Sequence, residues 1–358
     1  STLAFNVASS YASAISIRQA ANAMIFSGGT GGYYFNRHDN SATDLAIAGD
    51  GSLSTPTAGT SNVRFGVNAG NSIASGGNLN TIVGDEAGTA VSTGDQNTLI
   101  GYRAGTAVNT SVNNVAVGMD AMLTNSTGDN NIAVGREALK RLTTSNENVA
   151  VGSETLKETT TGTKNVATGH TAGQFALTTE GSTFVGHSAG KGIQNTKLTG
   201  NENTAVGREA GLLLQGAATQ NTIVGAKAAD ALTTGSYNVI LGVNAAGTST
   251  TGDQNIVIGQ GSCGTGVLVG DRNVVIGDSA GQAITSAAGN VVIGAGACSS
   301  TNDINKLGKV DKDGNNLEEE GTGNFYYQAE ADDIVRTIEE KGYLDGLIRS
   351  KYKAEKVP

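Results

Sequence analysis

Hydrophobic and polar positions follow one fixed pattern through the middle of the chain, and this pattern returns with a period of about 17 residues. Each copy opens with Asn, continues with three residues drawn mostly from Val, Ile, Leu, Thr and Ala, and closes with Gly, as in residues 80–84. Such a three-residue run favours a short β-strand. Turn-forming residues come later in each period, as in "STGDQN" at 92–97, and favour a tight corner. Each copy is therefore predicted to be one strand followed by a corner.

The closing glycine of the pattern marks fourteen copies between about residues 62 and 298. These glycines are Gly66, Gly84, Gly101, Gly118, Gly135, Gly152, Gly169, Gly186, Gly207, Gly225, Gly242, Gly259, Gly277 and Gly294. Their positions differ by 17 or 18, except for one step of 21 that places an insertion, predicted to bulge outward, in "KGIQNTKLTGNEN". A period of 17 is too short for a pair of helices. The sequence therefore predicts an all-β fold, a β-solenoid (β-roll) of about 14 coils with one coil per repeat.

Equivalent residues of successive coils are expected to stack on one another. Asn opens 13 of the 14 copies, and Ser182 is the exception. A column of identical amides can form hydrogen bonds from coil to coil, as in other stacked strands. The residues that we expect to maintain the repeat are Asn80, Gly84, Asn97, Gly101, Asn114, Gly118, Asn131, Gly135, Asn148 and Gly152. The two positions after each closing glycine vary and are polar, so both are expected to face water.

Both sides of the short strand are apolar. The first and third residues of a strand point to one side and the second to the other, and in Val115, Ala116 and Val117 all three are hydrophobic. When both sides of a strand are apolar, both need to be covered. One side is predicted to fill the coil and the other to meet neighbouring subunits in a homotrimer, because the rest of the chain is too short to cover 14 coils. The predicted core or subunit contacts are Val117, Val134, Ile223, Val257 and Ile258.

The chain divides into three predicted regions: a strand-rich N-terminal module at 1–60, the solenoid shaft at 61–300, and a turn-rich linker with a helical cap at 301–358. Asp50 and Gly51 predict a hairpin turn in the first region. Ile334 and Ile338 are spaced for one face of a short helix in the last region. The segment 311–315 is superficially similar to a calcium loop, but its glycine comes too early for that pattern, and a plain turn is favoured.

Composition and charge exclude several classes of function. The net charge of −9 and the isoelectric point near 4.9 argue against a nucleic-acid partner. The sequence contains no run of 18 apolar residues, so we expect no insertion into a membrane. With 52 glycines and 4% aromatic residues, the chain suits many thin layers better than one thick core. We expect no cofactor.

Candidate chemistry is sparse. His170 and His187 each follow a closing glycine and should stack one coil apart, where a metal site is conceivable but neutral surface imidazoles are favoured. Cys263 and Cys298 each fall four residues after a closing glycine, two coils apart, and are interpreted as interior fillers beyond disulfide reach.

A pair of carboxylates in a cleft would suit the hydrolysis of a polysaccharide. Glu137 and Glu154 occupy one column a coil apart, but they are expected on a convex, solvated surface beside Arg136. A charged surface ladder is the favoured interpretation, and no catalytic residue or enzymatic activity is predicted.

The string "NNIAVGREALKRLTTSNENVAVGSETL" at 130–156 resembles the repeats of phage tail-fibre shafts. It is also similar to the head domains of trimeric autotransporter adhesins, which are left-handed β-rolls assembled as trimers. The likeness covers about two thirds of the chain. Residues 31–57 resemble the strand-rich modules of phage fibres, in which an "I-x-x-D-G-x-L" segment, here at 47–53, precedes the shaft.

The resemblance implies a structural and binding protein of a virion, exposed outside the cell as a tail or fibre appendage. Its role would be that of a rigid trimeric shaft that presents host-attachment surfaces. The implied partners are two further copies of the chain, other virion proteins, and a host cell-surface receptor or glycan. A glycan-degrading tail spike and a bacterial trimeric adhesin head are the alternatives.

Overall fold

A computed structural model describes residues 59–266 and 268–299 in full, together with the backbone of eight short strands outside them. The chain forms two compact units, Ser1–Ala133 and Val134–Pro358. Throughout residues 59–266 and 268–299 every regular element is a strand and none is a helix, which confirms the all-β prediction. None of the described residues belongs to a helix with the length and hydropathy needed to cross a bilayer.

The repeats contribute fourteen three-residue strands, one for each copy of the pattern. They are β6 (Val63–Phe65), β7 (Thr81–Val83), β8 (Thr98–Ile100), β9 (Val115–Val117), β10 (Ile132–Val134), β11 (Val149–Val151), β12 (Val166–Thr168), β13 (Thr183–Val185), β14 (Thr204–Val206), β15 (Thr222–Val224), β16 (Val239–Leu241), β17 (Ile256–Ile258), β18 (Val274–Ile276) and β19 (Val291–Ile293). This confirms a β-solenoid of about 14 turns with the period that the sequence predicts.

Strands of neighbouring coils pair in parallel and in register within each unit. In the first unit β6, β7, β8 and β9 follow one another in chain order, with Val63 opposite Thr81 and Thr98 opposite Val115. In the second unit the same pairing runs from β11 to β19. The division between the units falls within β10.

The closing glycine of each repeat is required by a close approach of the backbone. Gly84 has a φ of 131°, in a region that favours glycine, and a Cβ there would collide with the carbonyl group of Gly101 in the next coil. The same arrangement recurs at Gly101 against Gly118. The invariant glycine of the pattern therefore marks the point where one coil turns directly over the next.

The side chains inside the coils compensate one another in volume. The middle residue of each strand from β7 to β19 is buried, and the residue four positions after the closing glycine lies beside it. Small Ala116 is accompanied by Met122, and small Ala150 by Leu156. Where the strand residue is large, as at Leu99, the residue four positions after the closing glycine is small. Here it is Gly105, and a Cβ added to it would come within 2.6 Å of Leu99 Cδ2. Most coils therefore combine one large and one small residue inside the thin core.

The asparagine column forms the predicted ladder. Asn97 Oδ1 accepts from both the backbone N–H and the side-chain amide of Asn114, at 3.0 and 3.2 Å. The Asn97 amide in turn donates to Asn80 Oδ1 at 3.1 Å and to the carbonyl oxygen of Ser111 at 2.8 Å. At the exceptional copy, Ser182 Oγ accepts from the backbone of Asn203 at 3.2 Å and so keeps one of these bonds.

Removal of one rung should be costly because the amide is buried. In Asn97→Ala, two donors of Asn114 and the carbonyl of Ser111 lose their partner, and we expect a loss of about 1–3 kcal/mol in the free energy of unfolding. Asn97→Ser should cost less, since Ser182 shows that a hydroxyl can accept from the next coil. Thermal unfolding followed by circular dichroism measures both, with the exposed Asn109→Ala as control. Equal stability of Asn97→Ala and Asn109→Ala would contradict the role of the ladder.

The insertion in the long repeat lies at the surface, as predicted. Residues 194–196 are exposed, and an antiparallel bridge between Ile193 and Thr196 closes the bulge. Lys197 at its base donates to Glu158 Oε2 at 2.7 Å, which fastens the insertion to an earlier coil.

Short strands also occur in both terminal regions. They are β1 (Ser16–Ala20), β2 (Ala23–Ser27), β3 (Tyr33–Asn36), β4 (Thr43–Ile47), β5 (Leu53–Ser54), β20 (Lys309–Val310), β21 (Asn316–Leu317) and β22 (Phe325–Tyr327). β1 pairs with β2, and β3, β4 and β5 form an antiparallel sheet. The pairing of Ile47 with Leu53 brackets the predicted turn at Asp50 and Gly51, although residues 48–52 themselves lie outside the described residues.

The C-terminal region contains a strand that the repeat pattern does not predict. β22 pairs in parallel with β19, with Tyr326 opposite Val292, and so extends the ladder beyond the last repeat. β20 and β21 pair antiparallel on either side of residues 311–315, which themselves lie outside the described residues. The helices predicted after residue 328 lie outside the described residues.

Candidate association face

The outer side of each coil is apolar and open to solvent. We use "outer face" for the first and third residues of the strands β6 to β19. Every one of these residues is Val, Ile, Leu, Phe or Thr, and none is charged. None of them is buried, and the side chains of Val239 and Leu241 are 40% and 44% exposed. Within each unit the outer face is therefore a periodic strip of aliphatic and threonine side chains.

The structure divides the five predicted contact residues between the two sides of the strand. Ile223 and Val257 are middle residues and are fully buried in the coil. Val117, Val134 and Ile258 are third residues and lie half-buried on the outer face. The sequence predicted that one side would fill the coil, and the burial pattern assigns that role to the middle position.

An apolar face of this kind is unusual for a sheet in water. Parallel sheets are normally covered on both sides, and contiguous exposed apolar surface commonly marks a site of association. No family model, curated protein or solved structure matches this chain. The physical properties of the outer face are therefore what indicates its role.

The positions after the closing glycine border the outer face, and one of them differs from the prediction. The first is exposed in most copies, as at Tyr102 and Arg136. The second was expected to face water as well, but Asp120, Thr171 and Ser188 are buried there. The backbone is left-handed throughout this column, with φ of 56° at Asp120 and also 57° at the exposed Glu86, so the buried side chains are distinguished by their partners in adjacent coils. Thr171 and Ser188 accordingly bond to each other at 2.9 Å.

The carboxylates Glu137 and Glu154 lie in a cluster of ion pairs. Lys157 Nζ lies 2.5 Å from Glu137 and 3.3 Å from Glu154, Lys140 lies 2.9 Å from Glu137, and Arg136 pairs with Glu154. The two carboxylate side chains are only 13% and 19% exposed, so the expectation of a fully solvated ladder was wrong, although the charged ladder itself is present. The carboxylates and the cations of these two adjacent coils thus neutralise one another.

These cations shift both carboxyl groups towards ionisation. A hydrogen bond from Lys157 lowers the pKa of Glu137 to about 2, and Lys140 adds to this while burial opposes it. Burial also opposes the ionisation of Glu154, but Arg136 and Lys157 outweigh it and hold the pKa of that carboxyl below its usual value. Neither group has the raised pKa that a general acid for glycoside cleavage needs.

The Glu137 cluster predicts a loss of stability in acid. The folded state holds the pKa of Glu137 below its unfolded value of 4.5. The contribution of the ionised carboxylate to the free energy of unfolding is therefore complete above pH 4.5 and is lost as the pH falls towards about 2. We expect Glu137→Gln to melt at a lower temperature than the native protein at pH 7, and the gap to close near pH 2. Thermal scans at several pH values measure this gap. Glu147→Gln, at an exposed site, serves as control, and a gap that does not change with pH would refute the prediction.

The histidines and cysteines lie as the repeat register predicts. The rings of His170 and His187 stack with centroids 5.2 Å apart, and both are exposed. Among the described residues no group of three or more His, Cys, Asp or Glu is placed to hold a metal ion. Cys263 and Cys298 are buried and form no disulfide, and burial raises the pKa of Cys263 to about 12, which keeps it a neutral thiol.

One charged residue occupies an interior position that sequence reasoning passed over. Arg64 is the middle residue of β6, where later copies carry an apolar residue. Its Nη1 donates to the carbonyl oxygen of Gly70 at 2.9 Å, and burial lowers the pKa of its guanidinium. A charge in an otherwise apolar column was visible in the sequence, and it marks the first coil as different from the rest.

Proposed function

We propose that this protein is the shaft of a phage fibre or a related virion appendage, in which three copies of the chain associate through their outer faces. The observation that carries the proposal is the uncharged, exposed outer face of the coils. Burial of apolar surface contributes roughly 25 cal/mol per Å², so a strip that recurs in every coil provides a strong drive for association. Three chains around an axis can each cover the outer faces of the others.

The resemblance of residues 130–156 to the repeats of phage fibre shafts and trimeric adhesin heads supports an assembly of three chains. A shaft also suits the chemistry of the repeat. The asparagine ladder and the closing glycines hold each coil on the next through backbone and side-chain bonds, which favours a stiff element.

Recognition of the host would fall to the variable surface positions. The first residue after each closing glycine changes from Tyr102 to Met119, Arg136 and His170 while the ladder beneath it stays constant. Variation on a constant scaffold suits the binding of a host receptor or glycan, and the terminal regions suit attachment to other virion proteins.

The first test is the molar mass in solution. One chain has a mass of 36.0 kDa, and a trimer has three times this mass. Light scattering coupled to size exclusion under native conditions should return the trimer mass. A mass of one chain at micromolar concentration would refute the proposal.

The glycan-degrading alternative is less well supported. Its best candidates, Glu137 and Glu154, are both engaged by cations rather than held ready to donate a proton. Incubation of the purified protein with host capsule or lipopolysaccharide separates the two functions, because a shaft binds without cleavage and a spike releases oligosaccharides. A bacterial adhesin head would share the trimer mass, and neighbouring secretion genes rather than virion genes would favour it.

A further inference from the structure

The outer face of the second unit is not uniform along the stack. Its strands β12 to β15 each carry one threonine on this face, and we call this part the threonine segment; the four residues are Thr168, Thr183, Thr204 and Thr222. Its strands β16 to β19 carry none, and we call these four consecutive strands the aliphatic segment; the single strand β11, on the other side of the threonine segment, also carries none. The outer-face residues of the aliphatic segment are Val239, Leu241, Ile256, Ile258, Val274, Ile276, Val291 and Ile293.

The two segments differ in the free energy that burial of their outer-face side chains would release. All eight residues of the aliphatic segment are fully apolar, and none of them is buried. A threonine that is covered by a neighbour must either find a new partner for its hydroxyl group or lose its bonds to water. Association through the aliphatic segment therefore gains more per coil than association through the threonine segment.

We propose that the aliphatic segment, β16 to β19, is the principal contact between copies of this chain, and that the threonine segment contributes less. This inference rests on the proposed function, since it locates the strongest part of the face through which the copies associate.

The chemistry of the segment favours a second copy of the chain over an unrelated partner. Its side chains stand in rows that repeat once per coil, at the spacing of about 4.8 Å that separates paired strands. A partner fits all the rows together only if its own side chains have the same spacing, as in the dry interfaces between stacked sheets. A second copy has this spacing. The face is also free of charge within a chain of net charge −9, so two copies can meet here without like charges facing each other.

Two matched double variants test the inference. Leu241→Thr with Ile258→Thr changes the third residue of two adjacent strands in the aliphatic segment. Val206→Thr with Val224→Thr makes the same change in the threonine segment. Threonine favours strands, so the coils should be retained, and far-ultraviolet circular dichroism checks this. Light scattering over a dilution series then gives the concentration at which the oligomer dissociates.

We expect the first variant to raise the dissociation concentration at least about tenfold and the second to raise it less than about threefold. The reverse change, Thr204→Val with Thr222→Val, should lower the dissociation concentration. An oligomer that responds equally to both double variants, or more to the second, would overturn this inference and leave the proposed function standing. A native protein that is monomeric at all concentrations would overturn both.

Discussion

Phe184→Ala should lower the free energy of unfolding by about 3–5 kcal/mol, the range for loss of a buried phenylalanine. Phe184 is the largest fully buried side chain of the described residues. Its ring lies against Gly173 and Gly190, and a Cβ on Gly173 would come within 2.7 Å of the ring. Two glycines cannot move inward to fill the space that the ring leaves, so the cavity should persist at nearly its full size.

Thermal and urea unfolding followed by circular dichroism measure this loss. Phe175→Ala is the matched control, because Phe175 is an aromatic residue of the preceding coil that is only half-buried. We expect the free energy of unfolding to fall much less in the control than in Phe184→Ala. Similar losses for the two variants would mean that the ring of Phe184 does not fill the core in the way described.

Val117→Asp, or Val134→Asp in a separate variant, should abolish association while the coils remain folded. Each valine lies half-buried on the outer face, so a single chain can hydrate the new carboxylate. Between copies, the same carboxylate would be buried without a partner, at a cost of about 3–5 kcal/mol for each charge. Light scattering should then show the mass of one chain, with the circular dichroism of the native protein.

Two controls separate association from folding. Val117→Thr keeps the shape of the side chain and should remain an oligomer, because threonine already occurs on this face. Ile223→Asp puts the charge inside the coil, where the residue is fully buried, and should unfold its neighbourhood instead. Retention of the native mass by both Val117→Asp and Val134→Asp would exclude the outer face of β9 and β10 from the association surface.

The sequence was sufficient for those features that a fixed period determines directly. The strands, the asparagine ladder and the stacked pair His170 and His187 all follow from counting residues between closing glycines. The sequence also placed Cys263 and Cys298 inside the coil. Periodicity is a reliable guide here because each residue stacks on its equivalent in the next coil, so one register fixes them all.

The remaining features depend on geometry that the period does not contain. Burial of Asp120 and Thr171 depends on their contacts with adjacent coils, because Glu86 has the same left-handed backbone at the equivalent position and is exposed. Because both sides of the strand are apolar, the sequence left open which side was interior: Ile223 and Ile258 look equally hydrophobic. β22 was missed because its strand returns to the ladder after a stretch with no repeat pattern.

The fit of Phe184 between Gly173 and Gly190 limits how freely this chain can change by recombination. Duplication or deletion of one period is harmless only where the side chains of a coil fill no more than the interior of that coil. The ring of Phe184 fills space beside Gly173 of the preceding coil as well as beside Gly190 of its own, so these two coils must be inherited as one block. Evolutionary lengthening and shortening of the solenoid should therefore occur on either side of this block and leave it intact.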